Sequence, residues 1–341
     1  MIARGSDKAG SNAEYRRKID VHAHFLPPVY RKALSDAGLS RLDGGFPVPQ
    51  WSAPAAIETM NRLGVQAAVL SVSSPCMHFL DGMAAQRLAR SVNEDAAKLV
   101  LAHPGRFGAF ASLPLPNVQG SVEELSYALD VLRLDGVIME TNARGVYLGD
   151  ERLDPIFAAL SERHASLLIH PTSPACCEHV AFGRPAPMIE FHFDTTRAIV
   201  NLIFSRTLVR YPGMNVIVPH GGAALPILVP RLAMFAEMPI LESKPDNGES
   251  LLDELKQLHF DMAASAHPAQ FAALRAWVAT SQILFGTDWP FTPEAAIVRN
   301  IDNFARLNLT AEERHAIEYG NASRLFPRLS DQGNQKQQMA E

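Results

Sequence analysis

The sequence predicts a (β/α)8 TIM barrel, and three observations predict it. Eight short apolar runs alternate with helical stretches along the chain. Each run is too uniformly apolar to be half exposed, as parallel strands covered on both faces are. Four of the runs end in His or Asp, and a barrel gathers its strand ends into one bowl. With 341 residues, 47% of them hydrophobic, the chain can bury a core of that size without a division into two domains. An open doubly wound sheet is the structural alternative, but His24-Phe25-Leu26-Pro27-Pro28 stands where its Gly-rich phosphate loop would be.

Taken in order, residues 1–17 are polar and small and read as a flexible segment. Ile19 to Phe25 alternates as a strand. Pro27 to Gly38 suits a short amphipathic helix, and Asp43 to Pro54 is a loop dense in Gly and Pro. Ala55 to Leu63 reads as a helix stopped by Gly64, and Val65 to Val72 as the second strand. Ala84 to Leu101 has helical spacing, Phe107 to Leu113 is the third strand, Val122 to Leu132 a helix and Gly136 to Met139 the fourth strand. Pro155 to His164 is helical, and Leu167 to Ile169 is the fifth strand, running into His170-Pro171. Thr195 to Val209 reads as one long helix and Val216 to Val218 as the sixth strand. Leu251 to Leu258, Phe260 to Ala263, Pro268 to Ala279 and Ile283 to Phe285 complete the alternation. The barrel domain is expected over 18–329, with a disordered polar tail at 330–341.

Composition narrows the function. A net charge of -5 and a pI near 6.2 leave no basic patch for a phosphate backbone, so nucleic acid is excluded in favour of a small molecule. Three cysteines, an odd number without C-x-x-C spacing, point to a reducing cytoplasm. Neither a signal peptide nor a membrane span is expected, since no apolar run is long enough.

His22 and His24 lie two apart on one strand and so face the same way. Imidazole is a common ligand for zinc and related ions. With His170, His220 and Asp288 at the ends of the fifth, sixth and eighth strands, five metal-binding or proton-carrying groups would point into one bowl. Each has a plain reading as well: His170 as a turn residue, His220 as a loop residue before two glycines, Asp288 as a helix cap. Their joint position at four strand ends favours a site. Of the other eight histidines, His103, His164 and His315 fall in or beside helices. His78, His179, His192, His259 and His267 could approach the bowl but lack so clear a strand-end position.

The set His22-x-His24, Leu168-Ile169-His170-Pro171, Pro219-His220-Gly221-Gly222 and Phe285-Gly286-Thr287-Asp288-Trp289-Pro290-Phe291, closed by Gly320-Asn321-Ala322-Ser323-Arg324-Leu325-Phe326, resembles the amidohydrolase superfamily. Within it the chain is similar to the branch of aminocarboxymuconate semialdehyde decarboxylases and salicylate-type decarboxylases; by Trp51-Ser52, Ser71-Val72-Ser73-Ser74-Pro75, Ala111-Ser112-Leu113-Pro114-Leu115-Pro116 and Gly145-Val146-Tyr147-Leu148-Gly149-Asp150 it most resembles the 6-methylsalicylate decarboxylases. The resemblance runs from Lys18 to Phe326. It implies an amidohydrolase-type barrel with one divalent metal, Zn2+ before Mn2+, on His22, His24, His170 and Asp288. It further implies His220 as an acid or base beside the metal, and a homodimer in which Arg231 reaches the neighbouring subunit's site. Two departures stand out. The stretch Phe46-Pro47-Val48-Pro49-Gln50 before Trp51 has no arginine where the semialdehyde decarboxylases carry one, and Ala223 replaces a glutamate of the resorcylate type.

The expected reaction is non-oxidative loss of CO2 from a small aromatic acid, with a proton delivered to the ring carbon by His220 or by protonated Asp288. Phe25, Trp51, Phe79, Phe191 and Trp289 are candidates for an apolar wall against a flat ring, with Trp51, Phe25, Trp289 and Arg231 taken as substrate contacts. The alternative is metal-dependent hydrolysis of an amide or lactone, for which Glu140 at the end of the fourth strand could bridge two metals.

Overall fold

The structure is a computed structural model that describes residues 17–330. Apart from Arg17 and Ser330, the expected flexible start and tail lie outside the described residues. Eight strands form the barrel: β1 (Lys18–His24), β2 (Val65–Ser71), β3 (Phe107–Ser112), β4 (Gly136–Glu140), β5 (Ser166–His170), β6 (Asn215–Val218), β7 (His259–Asp261) and β8 (Ile283–Leu284). Each pairs in parallel with the next. The chain beyond β8 closes the ring on β1. Val21 N donates to Phe285 O at 3.0 Å, Asp288 N to His22 O at 2.7 Å, and His24 N to Trp289 O at 2.8 Å.

Ile19, Val21, Val69, Phe110, Ile138, Leu168, Ile217 and Leu284 fill the barrel, and Phe326 and Leu329 join them from the end of the chain. Each such buried side chain contributes about 1.5–3 kcal/mol of transfer free energy. Two residues further along their strands the inward positions become Ser71, Ser112, Glu140 and His170, all buried. Packing below and polar chemistry above therefore come from one alternation. In β1 the register shifts between Asp20 and Ala23. Ala23 consequently packs in the outer core with the helices, although Ile19 and Val21 face inward. A bulge of this kind re-aims side chains, here turning His22 and His24 into the mouth.

Strand bounds agree with the sequence reading to within two residues, but several helices differ. The helix expected over Thr195 to Val209 runs Glu190–Phe204, and a short one follows at Thr207–Arg210. Arg206 breaks it with φ 61, its guanidinium paired to buried Glu254. The segment Ala224 to Pro230, given no helix in the sequence reading, opens one over Leu225–Ala236 with Pro226 in its first turn and Pro230 inside. Pro230 has no N–H for the carbonyl of Pro226; the Trp277 indole donates to that carbonyl instead, at 2.8 Å. The sequence reading also left out the hairpin of Asn142–Ala143 with Val146–Tyr147 and the helices Glu294–Ala305, Ala311–His315 and Asn321–Leu325.

Candidate metal centre

His22, His24, His170 and Asp288 converge at the barrel mouth, each with a ligand atom within 4.8 Å of the others. The three imidazoles are oriented from behind. Nδ1 of His22 donates to Asp261 Oδ2 at 2.9 Å, Nδ1 of His170 donates to Pro171 O at 2.8 Å, and Nδ1 of His24 lies 3.0 Å from Ser71 Oγ. With Nδ1 occupied, Nε2 is the nitrogen each ring turns to the centre, the usual arrangement of metal-bound histidine. His24 Nε2 lies 3.0 Å and His22 Nε2 3.6 Å from Asp288 Oδ1. His22 Nε2 is buried and has no hydrogen-bond partner. An orphaned imidazole nitrogen beside a carboxylate and two further imidazoles fits a divalent cation.

Electrostatics follow the packing. Burial alone would lower the pKa of His22, but the charge and hydrogen bond of Asp261 prevail and raise it to about 9. Burial lowers His24 and takes His170 well below its ordinary value, so these two are neutral donors. Burial pushes the Asp288 carboxyl up, yet the neighbouring His220 imidazole, the hydrogen bond with His24 and the charge of His22 hold it well below the usual carboxylate range. Asp288 is thus set to stay ionised. Its backbone is left-handed at φ 59, as is that of His220 at φ 56, a strained conformation for residues with a Cβ that tends to mark functional positions.

His220 stands beside the group, its Nε2 3.7 Å from Asp288 Oδ2. Its backbone N donates to Asp261 Oδ1 at 3.1 Å, and its ring stacks on His192 with centroids 5.4 Å apart. Asp261 went unnoticed in the sequence; its only signal is a carboxylate inside an otherwise apolar strand. Glu140 does not join the ligand group.

A cavity of about 240 Å3 opens above the centre, with His170, His220 and Asp288 at its floor and Phe46, Phe191 and Phe291 among its walls. Phe25, Trp51, Trp289 and Arg231 are not among the lining residues. Phe25 follows His24 by one position, so it takes the opposite face and lies in the outer core, 6.0 Å from the Trp51 ring. Trp289 borders a separate small cleft with Ala56 and Met60. Arg231 is exposed on the helix Leu225–Ala236, its guanidinium 5.3 Å from the Phe235 ring.

The family model described as amidohydrolase matches residues 19–328. The chain belongs to the amidohydrolase family. It is 37% identical over 317 residues to the 6-methylsalicylic acid decarboxylase of Penicillium expansum, across 92% of this chain and 97% of that one. A crystal structure of an amidohydrolase II superposes with a TM-score of 0.84 at 32% identity, covering 90% of this amidohydrolase and 99% of that chain. The dihydroxybenzoic acid decarboxylase of Polaromonas sp. JS666, solved with manganese and 2-nitroresorcinol, shares the fold with a TM-score of 0.78 at 21% identity, covering 93% and 98% of the two chains. Among the described residues of this amidohydrolase, no helix is long and apolar enough to cross a membrane.

Proposed function

We propose that this chain is a metal-dependent, non-oxidative decarboxylase of a small salicylate-type acid, with 6-methylsalicylate the first substrate to test. The observation that carries this reading is a cavity with aromatic walls and with His170, His220 and Asp288 at its floor, where His170 and Asp288 converge with the buried imidazoles of His22 and His24. Its volume of about 240 Å3 lies below the range of roughly 300–1,000 Å3 for drug-sized ligands. The identity to the Penicillium expansum enzyme supports the same chemistry.

A divalent ion on His22, His24, His170 and Asp288 would supply positive charge that orients and neutralises the substrate carboxylate and an ortho phenol oxygen. The remaining work falls to side chains. Loss of CO2 from a carboxylate consumes one proton, which must reach the ring carbon as the carbon–carbon bond breaks. Asp288, held ionised, is suited to the cation. His220, within reach of the same floor, is suited to donate the proton through a ring nitrogen. Phe46, Phe191 and Phe291 give a flat ring an apolar slot and displace water from it.

Three imidazoles with one carboxylate suit Zn2+; Mn2+ is the second reading, because the Polaromonas decarboxylase structure contains manganese. The working form proposed is a cytoplasmic homodimer in which Arg231 crosses to the partner's cavity. Ile227 and Met234, 71% and 45% exposed, flank Arg231 on one helix and suit burial by a second copy. The deciding experiment incubates metal-analysed protein with 6-methylsalicylate and measures CO2 and 3-methylphenol. Hydrolysis of amides or lactones with no CO2 from any hydroxybenzoate would replace this reading with the hydrolase one.

A further inference from the structure

Asp43 stands on the loop between the helices Pro28–Asp36 and Ala53–Leu63, and its carboxylate forms part of the cavity wall. Five hydrogen bonds from neutral donors hold it. Ser74 Oγ, Thr172 Oγ1 and Ser173 N each donate to Oδ2 at 2.7 Å, while Gly44 N at 2.9 Å and Ser173 Oγ at 2.5 Å donate to Oδ1. The carboxylate is therefore tied to the loops that follow β2 and β5 as well as to its own. Gly44 has φ +78, and a Cβ on it would meet Pro187 Cδ at 2.6 Å. The loop is packed too closely against its neighbour for Asp43 to swing away.

Neutral donors stabilise a negative charge without cancelling it. Burial pushes the Asp43 carboxyl up, but the hydrogen bonds with Ser173, Ser74 and Thr172 prevail and lower it, so it is ionised at neutral pH. Among the described residues no lysine or arginine lines the cavity. The nearby His78 imidazole is lowered to about 4 by burial and by Arg144, which leaves it uncharged. Two other buried carboxylates of this chain do have a guanidinium partner, Glu124 in Arg90 and Glu254 in Arg206. Among the described residues no cationic side chain forms an ion pair with Asp43, which lines the substrate space.

We propose that Asp43 makes the site selective for aromatic acids with a single carboxylate, by repelling a second anionic substituent on the ring. This rests on the reading of the cavity as an aromatic-acid site. The reacting carboxylate would be matched on the floor by a divalent cation held by His22, His24, His170 and Asp288. A methyl group meets the aromatic walls. A second carboxylate on the Asp43 side finds no lysine or arginine of the same chain in the lining and faces a fixed anion in a partly buried space, where solvent and salt screen little.

The test uses three ligands of one framework: 6-methylsalicylate, its analogue with a carboxylate in place of the methyl (3-hydroxyphthalate), and the neutral carboxamide of the same shape as that carboxylate. Binding to the metal-loaded full chain is measured by calorimetry, and kcat/KM wherever CO2 is released. The wild type should bind the carboxamide at least about tenfold more tightly than the dicarboxylate, the effect expected of one like charge at this range. Asp43→Asn should shrink that ratio several-fold. Equal binding of carboxamide and dicarboxylate by the wild type overturns the proposal, and so does an unmoved ratio in folded Asp43→Asn. If Asp43→Asn does not fold, the wild-type comparison decides alone. If the ligands bind in the expected order and none loses CO2, the decarboxylase reading falls and the charge filter stands.

Discussion

Asp261 Oδ2 lies 2.9 Å from His22 Nδ1, and neither side chain is exposed. The other oxygen of the same carboxylate accepts from the backbone N–H of His220 at 3.1 Å and of Ala263 at 3.0 Å. One buried anion thus orients a proposed metal ligand and seats the proposed proton donor. Asp261→Asn should lower metal affinity about 10- to 100-fold, the usual cost of losing a partner behind a metal-bound histidine. Chelator competition measures it. An affinity equal to wild type would separate Asp261 from the metal site.

The same pair sets a pH dependence. Without metal, the charge and hydrogen bond of Asp261 outweigh burial and raise His22 to about 9. The folded metal-free protein therefore binds this proton more tightly than the unfolded chain, whose histidines titrate near 6.5. The resulting stability is fully present below about 6.5 and is lost as pH rises through about 9. Metal must displace that proton from Nε2, so apparent affinity should fall as pH drops below about 9. At pH 7, metal addition should release close to one proton per ion, readable by calorimetry in buffers of different ionisation enthalpy. Uptake without proton release would contradict the charged state of His22.

These relationships show what the sequence could and could not reveal. His22, His24, His170 and Asp288 were legible because a parallel barrel collects its strand ends, so position along the chain translates into position in space. His220 was legible for the same reason. Asp261 lies 239 residues from His22, and nothing local marks it apart from a charge in an apolar strand. Asp43 sits in a loop without periodicity, where no pattern says which way a side chain turns. Phe25 was misjudged as a wall residue because its neighbour His24 faces the mouth, while strand alternation sends the next side chain outward. The helix Leu225–Ala236 was hidden by Pro226 and Pro230, and only the remote Trp277 indole explains how it tolerates the second proline.

His220→Asn is predicted to retain the metal but to lose activity. Its ring nitrogens lie outside the converged ligand group, with Nε2 3.7 Å from Asp288. The backbone bond to Asp261 does not depend on the side chain, so His22 should keep its orientation. A fall in kcat of roughly 10² or more is the scale for losing a positioned acid. Elemental analysis and saturation kinetics on the same preparation check both halves. A kcat within twofold of wild type would remove His220 from proton transfer.

Arg231 gives the last prediction. It lies on a helix that exposes Ile227 and Met234, outside the lining of its own chain's cavity. A guanidinium suits bidentate contact with a carboxylate, and a two-fold interface places the same residue at the partner's cavity twice over. If each site draws on both chains, Arg231→Ala and His220→Asn homodimers should both be nearly inactive. In a mixed dimer, one cavity has intact His220 on its own chain and receives intact Arg231 from the other. Mixing the two variants under conditions where subunit exchange is verified should therefore restore activity, approaching one working site per mixed dimer. Verified exchange without recovery would show that Arg231 serves its own chain or none, even in a protein that is dimeric.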